Sequence, residues 1–318
     1  MYEGRIIGVV VPAYNEELLV TRVLETMPEF VDRIVVVDDC SQDHTSQVVK
    51  DYCVNHAGEE RVLLLRHEAN QGVGAAIVTG YKQLMSEEVD VAVVMAGDAQ
   101  MDPNDLTAVI GPVARGEADY VKGNRLFTGD AWQLIPKYRY LGNSFLSLLT
   151  KIASGYWHVA DSQTGYTAIS GAALDLLPLS GLYKRYGYPN HLLVMLNIYN
   201  LRVRDVPAHP VYNIGEKSGI RLWKVIPRLS WLLFKGFLWR MREKYVIRDF
   251  HPLIFFYLMG LTLLPAGLIL GCYLLGYRIL VGPVESTSAL FATFLFVSGL
   301  QSLFFAMWFD MEYNRELK

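Results

Sequence analysis

Chemistry-bearing side chains concentrate in four short segments of this 318-residue sequence. They are Pro12-Ala13-Tyr14-Asn15-Glu16-Glu17, Asp38-Asp39-Cys40-Ser41-Gln42-Asp43, Asn70-Gln71-Gly72-Val73-Gly74-Ala75-Ala76 and Ala96-Gly97-Asp98-Ala99-Gln100-Met101-Asp102-Pro103. An acid and an amide with one residue between them, as in Asp98 and Gln100, can ligate a hard divalent cation. Such a cation neutralises a diphosphate. The competing use of an acid here is a helix N-cap before Pro103, which Asp102 fits better than Asp98. Arg125 and Arg139 suit a phosphate, although the ordinary fate of an arginine is the surface. Gly72-x-Gly74 is not a dinucleotide fingerprint. That motif belongs in the first strand-to-helix turn, which here reads Pro-Ala-Tyr-Asn-Glu. No P-loop occurs either.

The elements that position these segments alternate. Continuous apolar, β-branched runs at 6–11, 34–37, 62–65 and 89–95 read as buried strands. Helical stretches beginning near Glu16 and Gly74 separate them. This pattern predicts a parallel sheet covered on both faces, with ligands bound beyond the carboxyl ends of its strands. All four chemical segments fall at those ends. Further strands are expected at 118–122, 164–170 and 201–206, and helices at 143–154 and 190–200.

Hydrophobic residues make up 52% of the chain. The excess sits at the end, where 253–276 and 289–309 carry no charge. Each is long enough to cross a hydrocarbon core of roughly 30 Å. A hairpin of two membrane helices is therefore expected, with Pro265 tolerable in lipid. Residues 221–248 hold eight Lys or Arg against one acid, Glu243, interleaved with Trp223, Trp231, Phe234, Phe237 and Trp239. This composition predicts an interfacial amphipathic segment on an anionic membrane rather than a nucleic-acid groove. The basic belt, with Arg315 and Lys318, places both termini in the cytoplasm by the positive-inside rule. No secretory h-region comes after Met1, and Cys40, Cys53 and Cys272 have no disulfide or metal spacing.

In order and spacing, "VPAYNEE", "VVVDDCSQDHT", "NQGVGAA" and "GDAQMDP" resemble glycosyltransferase family 2. So do "GNR" at 123–125, "DSQTGYTAIS" at 161–170, "GEKSG" at 215–219 and the tail "FDMEYNRE". The nearest subgroup by this resemblance is the polyprenyl-phosphate (dolichyl-phosphate) sugar transferases. The resemblance implies a GT-A fold, α/β and Rossmann-like, with a mostly parallel sheet between helices. It places the catalytic domain at 1–220, juxtamembrane helices at 221–250 and the hairpin with its tail at 251–318.

The resemblance also implies roles. Pro12, Tyr14, Asn15, Glu16, Asp38, Asp39, Asp43, Gly72, Ala96 and Gly97 would hold the nucleotide-sugar, with Lys217 or Ser218 on a loop above it. Asp98 and Gln100 would bind Mg²⁺ or Mn²⁺. Arg125 and Arg139, with Asn143 and Ser144, would hold the acceptor phosphate of an undecaprenyl or dolichyl lipid, and Asp161 would sit near the reacting centre. Asp98, Asp161 and Arg125 are the expected catalytic residues. By the same resemblance the reaction inverts the anomeric centre. UDP-glucose or UDP-N-acetylglucosamine is preferred over GDP-mannose, and the hairpin would suit a homo-oligomer. The family usually has Asp where Ala96 stands, so one metal ligand or ribose contact is missing. The other readings are a polysaccharide or glycolipid synthase on the same fold, which typically carries Gln-x-x-Arg-Trp and more membrane helices, and a catalytically impaired binding protein.

Overall fold

The computed structural model describes residues 1–56, 60–126, 137–209, 211 and 222–318. They form two compact units, 1–237 with 317–318, and 238–316.

The first unit is built on seven strands: β1 (Ile7–Ala13), β2 (Arg33–Asp38), β3 (Val62–Arg66), β4 (Val91–Val94), β5 (Tyr120–Asn124), β6 (Thr167–Ser170) and β7 (Val203–Pro207). They lie in the order β3-β2-β1-β4-β6-β5-β7. Every residue of β1, β4 and β5 is buried, as expected of strands covered on both faces. The sheet is mixed, because β6 runs antiparallel to both neighbours, β4 and β5. The fully parallel sheet suggested by the apolar runs is corrected on this point, while the mostly parallel GT-A description holds.

Helices α1 (Val20–Glu25), α2 (Thr45–Asn55), α3 (Val73–Ser86) and α4 (Leu106–Ala114) come after strands β1 to β4. The first begins at Val20 rather than near Glu16. Beyond β5 come α5 (Lys137–Ser154), α6 (Gly171–Leu176) and α7 (Tyr188–Ile198). Asp102 caps the turn before α4, accepting from Asn104 N. Asp98 is therefore not needed as that cap.

Reversal of β6 matters for the site. Thr167 is the register partner of Val94, so the chain entering β6 lies beside the carboxyl end of β4. The segment 161–166 is thereby delivered to the edge of the sheet where β1, β2 and β4 end.

Helix α8 (Leu222–Arg242) crosses from the first unit into the second. In the first unit it buries Leu229, Leu233 and Phe237 and leaves Trp231 and Phe234 exposed. These two rings stack at 5.6 Å, and the Lys235 ammonium lies 5.3 Å from the Trp231 ring. An aromatic, cationic outer face over an apolar inner one is the pattern of an interfacial helix.

In the second unit, α9 (Leu253–Leu280) and α10 (Ser286–Tyr313) pack as a hairpin. Each has 28 residues and is long and apolar enough to cross a membrane. They overrun the uncharged stretches 253–276 and 289–309, and the connection shrinks to 281–285. Gly267 faces the backbone of Phe296, and Gly299 that of Leu264. A side chain at either would push the helices apart, and small residues at such crossings permit tight packing in lipid. Leu258, Ile269, Leu290 and Phe294 point outward and are exposed.

Candidate active site

The ends of β1, β2 and β4 and the loop before α3 enclose a crevice of about 270 Å³. Two main-chain bonds tie the strand ends together beneath it: Asp39 N donates to Ala13 O at 2.9 Å, and Gly97 N to Pro12 O at 3.1 Å. Pro12, Ala13, Tyr14, Glu16, Asp39, Asn70, Gly72, Val73, Ala76, Ala96, Gly97 and Asp98 line it. Seven of the expected donor-side residues thus converge: Pro12, Tyr14, Glu16, Asp39, Gly72, Ala96 and Gly97. Asp98 joins them.

Left-handed turns set this convergence. Asn15, Cys40 and Ala99 have φ of 58°, 64° and 54°, one just past each of β1, β2 and β4. Side-chain residues at such angles cost of order 1 kcal/mol or more, and such strain clusters at ligand sites. The Asn15 turn is held by Asn15 N donating to Ser41 Oγ (2.9 Å) and by Gln42 N donating to Asn15 Oδ1 (2.8 Å). The Ala99 turn is held by Gln100 N donating to Asp98 Oδ1 (3.1 Å).

The paired acids Asp38 and Asp39 separate. Asp39 lines the crevice and accepts from Gln71 N (2.9 Å) and Gly72 N (2.7 Å), which fixes the loop on the far wall. Asp38 is fully buried and accepts from Ser41 N, the Ser41 hydroxyl and the Ser46 hydroxyl. It anchors the second turn from inside and is not among the residues that line the crevice. Asp43 accepts from Thr45 N, the Thr45 hydroxyl and Glu17 N. Asn15 and Asp43 therefore shape the rim rather than line the crevice.

Gly72 has φ of 98°, and a Cβ there would lie 2.5 Å from Lys184 O. Gly72→Ala is expected to destabilise the fold by about 1–3 kcal/mol. Thermal unfolding checks this; an unchanged melting temperature would remove the constraint.

Three acids, Glu16, Asp39 and Asp98, line the crevice. Burial, with Asp98 and Asp43 close by, raises the Glu16 pKa to about 7. A carboxylate cluster of this kind is relieved by a cation. Oxygen donors from Asp98 and Gln100, with Glu16 adjacent, are the right chemistry for Mg²⁺ or Mn²⁺. Among the described residues, no group of three His, Cys, Asp or Glu forms a closed metal cage.

A second cavity of about 140 Å³ adjoins the first, sharing Pro12, Val73 and Ala96. Val94, Met101, Gln163, Gly165, Tyr186, Tyr188 and Pro189 complete its wall. Sequence reasoning missed the tyrosines. Their only signal is "YGYPN" at the start of a helix.

Arg125, at the end of β5, reaches Asp161 in the loop before β6. Its Nε donates to Oδ2 at 2.7 Å and its Nη2 to Oδ1 at 3.2 Å. Asp161 is almost wholly buried while Arg125 stays partly exposed. Burial pushes the Asp161 pKa up, but Arg125, Lys122 and the Gln163 N–H more than offset it, so Asp161 ends below the usual carboxylate range. Ser144 is exposed on α5. The side chains of Arg139 and Asn143, and Lys217 and Ser218 altogether, lie outside the described residues.

Residues 8–176 match the model of glycosyl transferase family 2. The chain belongs to this family. It is a glycosyltransferase, and its motif resemblance holds. Among relatives, the UDP-N-acetylglucosamine–dolichyl-phosphate N-acetylglucosaminyltransferase of Methanococcus voltae is 32% identical over 218 residues, 65% of this chain and 86% of that one. The undecaprenyl-phosphate mannosyltransferase of Micrococcus luteus is 28% identical, covering 62% and 80%. The human dolichyl-phosphate β-glucosyltransferase is 24% identical, covering 76% of each chain. Glucosyl-3-phosphoglycerate synthase of Mycobacterium tuberculosis, solved with Mn²⁺, UDP and its product, superposes with a TM-score of 0.54 at 20% identity, over 74% of this transferase and 80% of the synthase. That likeness establishes the GT-A-like fold.

Proposed function

We propose that this transferase moves a sugar from a nucleotide-sugar to the phosphate of a polyprenyl lipid, at the cytoplasmic face of a membrane, with inversion. The observation that carries the reading is the strand-end crevice, whose wall brings Glu16, Asp39 and Asp98 together. Such a site accepts a cation-bound diphosphate. The relatives from Methanococcus voltae and Micrococcus luteus act on dolichyl and undecaprenyl phosphate, and the apolar hairpin supports a lipid acceptor. The basic belt at 221–248 supports the cytoplasmic placement.

A phosphate oxygen of the lipid forms the new bond to the anomeric carbon, and the bond from that carbon to the nucleoside diphosphate breaks. The electron pair leaves with the diphosphate. The lipid phosphate is already an anion at pH 7, so no proton needs to be removed from it. The transferase therefore contributes positioning and charge rather than a strong base. Tyr14, Asp39 and Gly72 hold the nucleoside, and Arg125 meets the acceptor phosphate. Asp161 orients Arg125 and offers negative charge near the electron-poor anomeric carbon. A divalent cation held by Asp98 and Gln100 supplies neutralisation of the leaving diphosphate when bound.

For the donor, a UDP-N-acetylhexosamine is the best fit. The second cavity opens where Ala96 replaces a carboxylate, and its mixed apolar and amide wall suits an acetamido group. Detergent-purified transferase given polyprenyl phosphate, Mn²⁺ and a panel of UDP- and GDP-sugars is expected to form lipid-linked sugar from UDP-N-acetylglucosamine at the highest rate. Mass spectrometry of the lipid extract reads the product. A silent panel would sink the transfer reading, and a preference for GDP-mannose would sink the donor assignment alone.

A further inference from the structure

Beneath the Arg125–Asp161 pair lies a lysine that the transfer chemistry leaves without a role. Lys122, in the middle of β5, is fully buried. Its Nζ donates to Thr164 O at 2.9 Å, in the same loop that carries Asp161. Asp205 on β7 is the register partner of Lys122, so both side chains leave the sheet on one face. Asp205 Oδ2 accepts from Ala160 N (2.8 Å) and Asn124 Nδ2 (3.2 Å). Its Oδ1 is buried with no hydrogen-bond partner among the described residues. Among the described residues, the charged groups around Asp161 are Arg125 and Lys122 from β5 and its end, and Asp205 from β7. Lys151 adds a weaker positive influence on Asp205.

We propose that Lys122, buried and tied to the Asp161 loop through the Thr164 carbonyl, is the positive charge that keeps that carboxylate charged and in place when Arg125 turns to the acceptor phosphate. The proposal rests on the proposed function, in which Arg125 meets that phosphate. Arg125 donates to Asp161 through Nε and Nη2. An incoming phosphate anion competes for the same guanidinium. A buried carboxylate stripped of its cation takes up a proton, because burial favours the neutral form. Asp161 would then lose its charge at the moment the anomeric carbon becomes electron-poor. Lys122 cannot reach a ligand, since it is sealed within the sheet. It acts through Asp161 and the Thr164 carbonyl, as a positioning residue.

The charge state of Lys122 fits this role. Burial lowers its pKa to about 8, with Asp161 and Asp205 holding it up and Arg125 pressing it down. The cation is present below about pH 8 and is lost above it. Asp205, raised by burial to about 6, is charged over the same working range. Between about pH 6 and 8 the four groups carry two positive and two negative charges.

The test separates this proposal from the sugar-transfer reading. Carboxyl-carbon NMR of isotope-labelled aspartate tracks Asp161, assigned from Asp161→Asn. Arg125→Gln imitates an arginine taken up elsewhere. Asp161 is expected to stay ionised at pH 6 in Arg125→Gln. In Arg125→Gln/Lys122→Met its titration midpoint is expected to rise by about two units. Equal midpoints in the two variants would overturn the proposal, whatever any transfer assay shows. In turnover, Lys122→Met alone is expected to move the acid limb upward by about one unit. A merely structural loss would lower the rate equally at every pH, and that result also overturns it. If Lys122→Met does not fold, Asp205→Asn serves. That variant keeps the acceptors for Ala160 N and Asn124 but removes one anion facing Lys122. The inflection of the Asp161 signal near pH 8 is then expected to move to lower pH, and an inflection that stays in place counts against Lys122.

Discussion

Asp98→Asn is expected to lower turnover by at least about 10³-fold while leaving the melting temperature of the purified transferase nearly unchanged. The asparagine oxygen can still accept from Gln100 N, so the turn after β4, with Ala99 at φ of 54°, is retained. Side-chain volume is retained too. The loss is one negative charge in the wall of the crevice. In a site with two carboxylates at this motif, a partner could carry part of that charge. Here the first position is Ala96, which has no ligand atom to offer. Glu16 lies close by, and it is half protonated near pH 7. The substitution should therefore also weaken Mn²⁺ dependence to the point where added metal no longer rescues the rate. Turnover within tenfold of the parent, at saturating Mn²⁺, would remove Asp98 from the metal role.

The sequence showed the layout of the site better than the use of each side chain in it. Runs such as IGVVVPA and RIVVVD announce buried strands, and residues just past a strand end in such a sheet face the ligand crevice. That is why Pro12, Tyr14, Glu16, Asp39, Gly72 and Asp98 were legible. Hydrophobic pattern carries no direction, so the reversal of β6 was not. Asp38 and Asp39 look equivalent in a linear text, yet the alternation of a strand turns one inward and its neighbour outward. The inward one needed Ser41 and Ser46 nearby, and both are visible at short spacing. Lys122 was hidden because the strand run "YVKGN" does not say what encloses its lysine. Only the register with Asp205 and the path of the loop at 161–166 show that it is enclosed.

The largest stability effect is expected in the second unit. Arg240 and Asp310 are both fully buried there, and they pair through Nη1–Oδ1 at 2.8 Å and Nη2–Oδ2 at 2.9 Å. Tyr245 donates its hydroxyl to Asp310 Oδ1 at 2.5 Å. Asn314 Nδ2 donates to the same oxygen at 3.0 Å, and Lys244 Nζ to Asn314 Oδ1 at 2.7 Å. Burial pulls the Arg240 pKa down, but Asp310 and Tyr245 raise it further, so the guanidinium stays charged. The network fastens the chain at 240–245 to the last turn of α10. In sequence its two halves are about 70 residues apart, and only the acid interrupting the apolar run before "MEYN" hints at it. Removing one member leaves a buried charge without its counter-ion, which typically costs about 3–5 kcal/mol. Asp310→Ala is thus expected to lower the melting temperature of the detergent-solubilised protein steeply. Replacing both charges removes the uncompensated ion, and apolar side chains of similar size can even be neutral. Arg240→Met/Asp310→Leu should therefore recover most of the stability that Asp310→Ala loses. If the double variant is as unstable as the single one, the pair is holding the unit by its hydrogen bonds to Tyr245 and Asn314 rather than by charge balance.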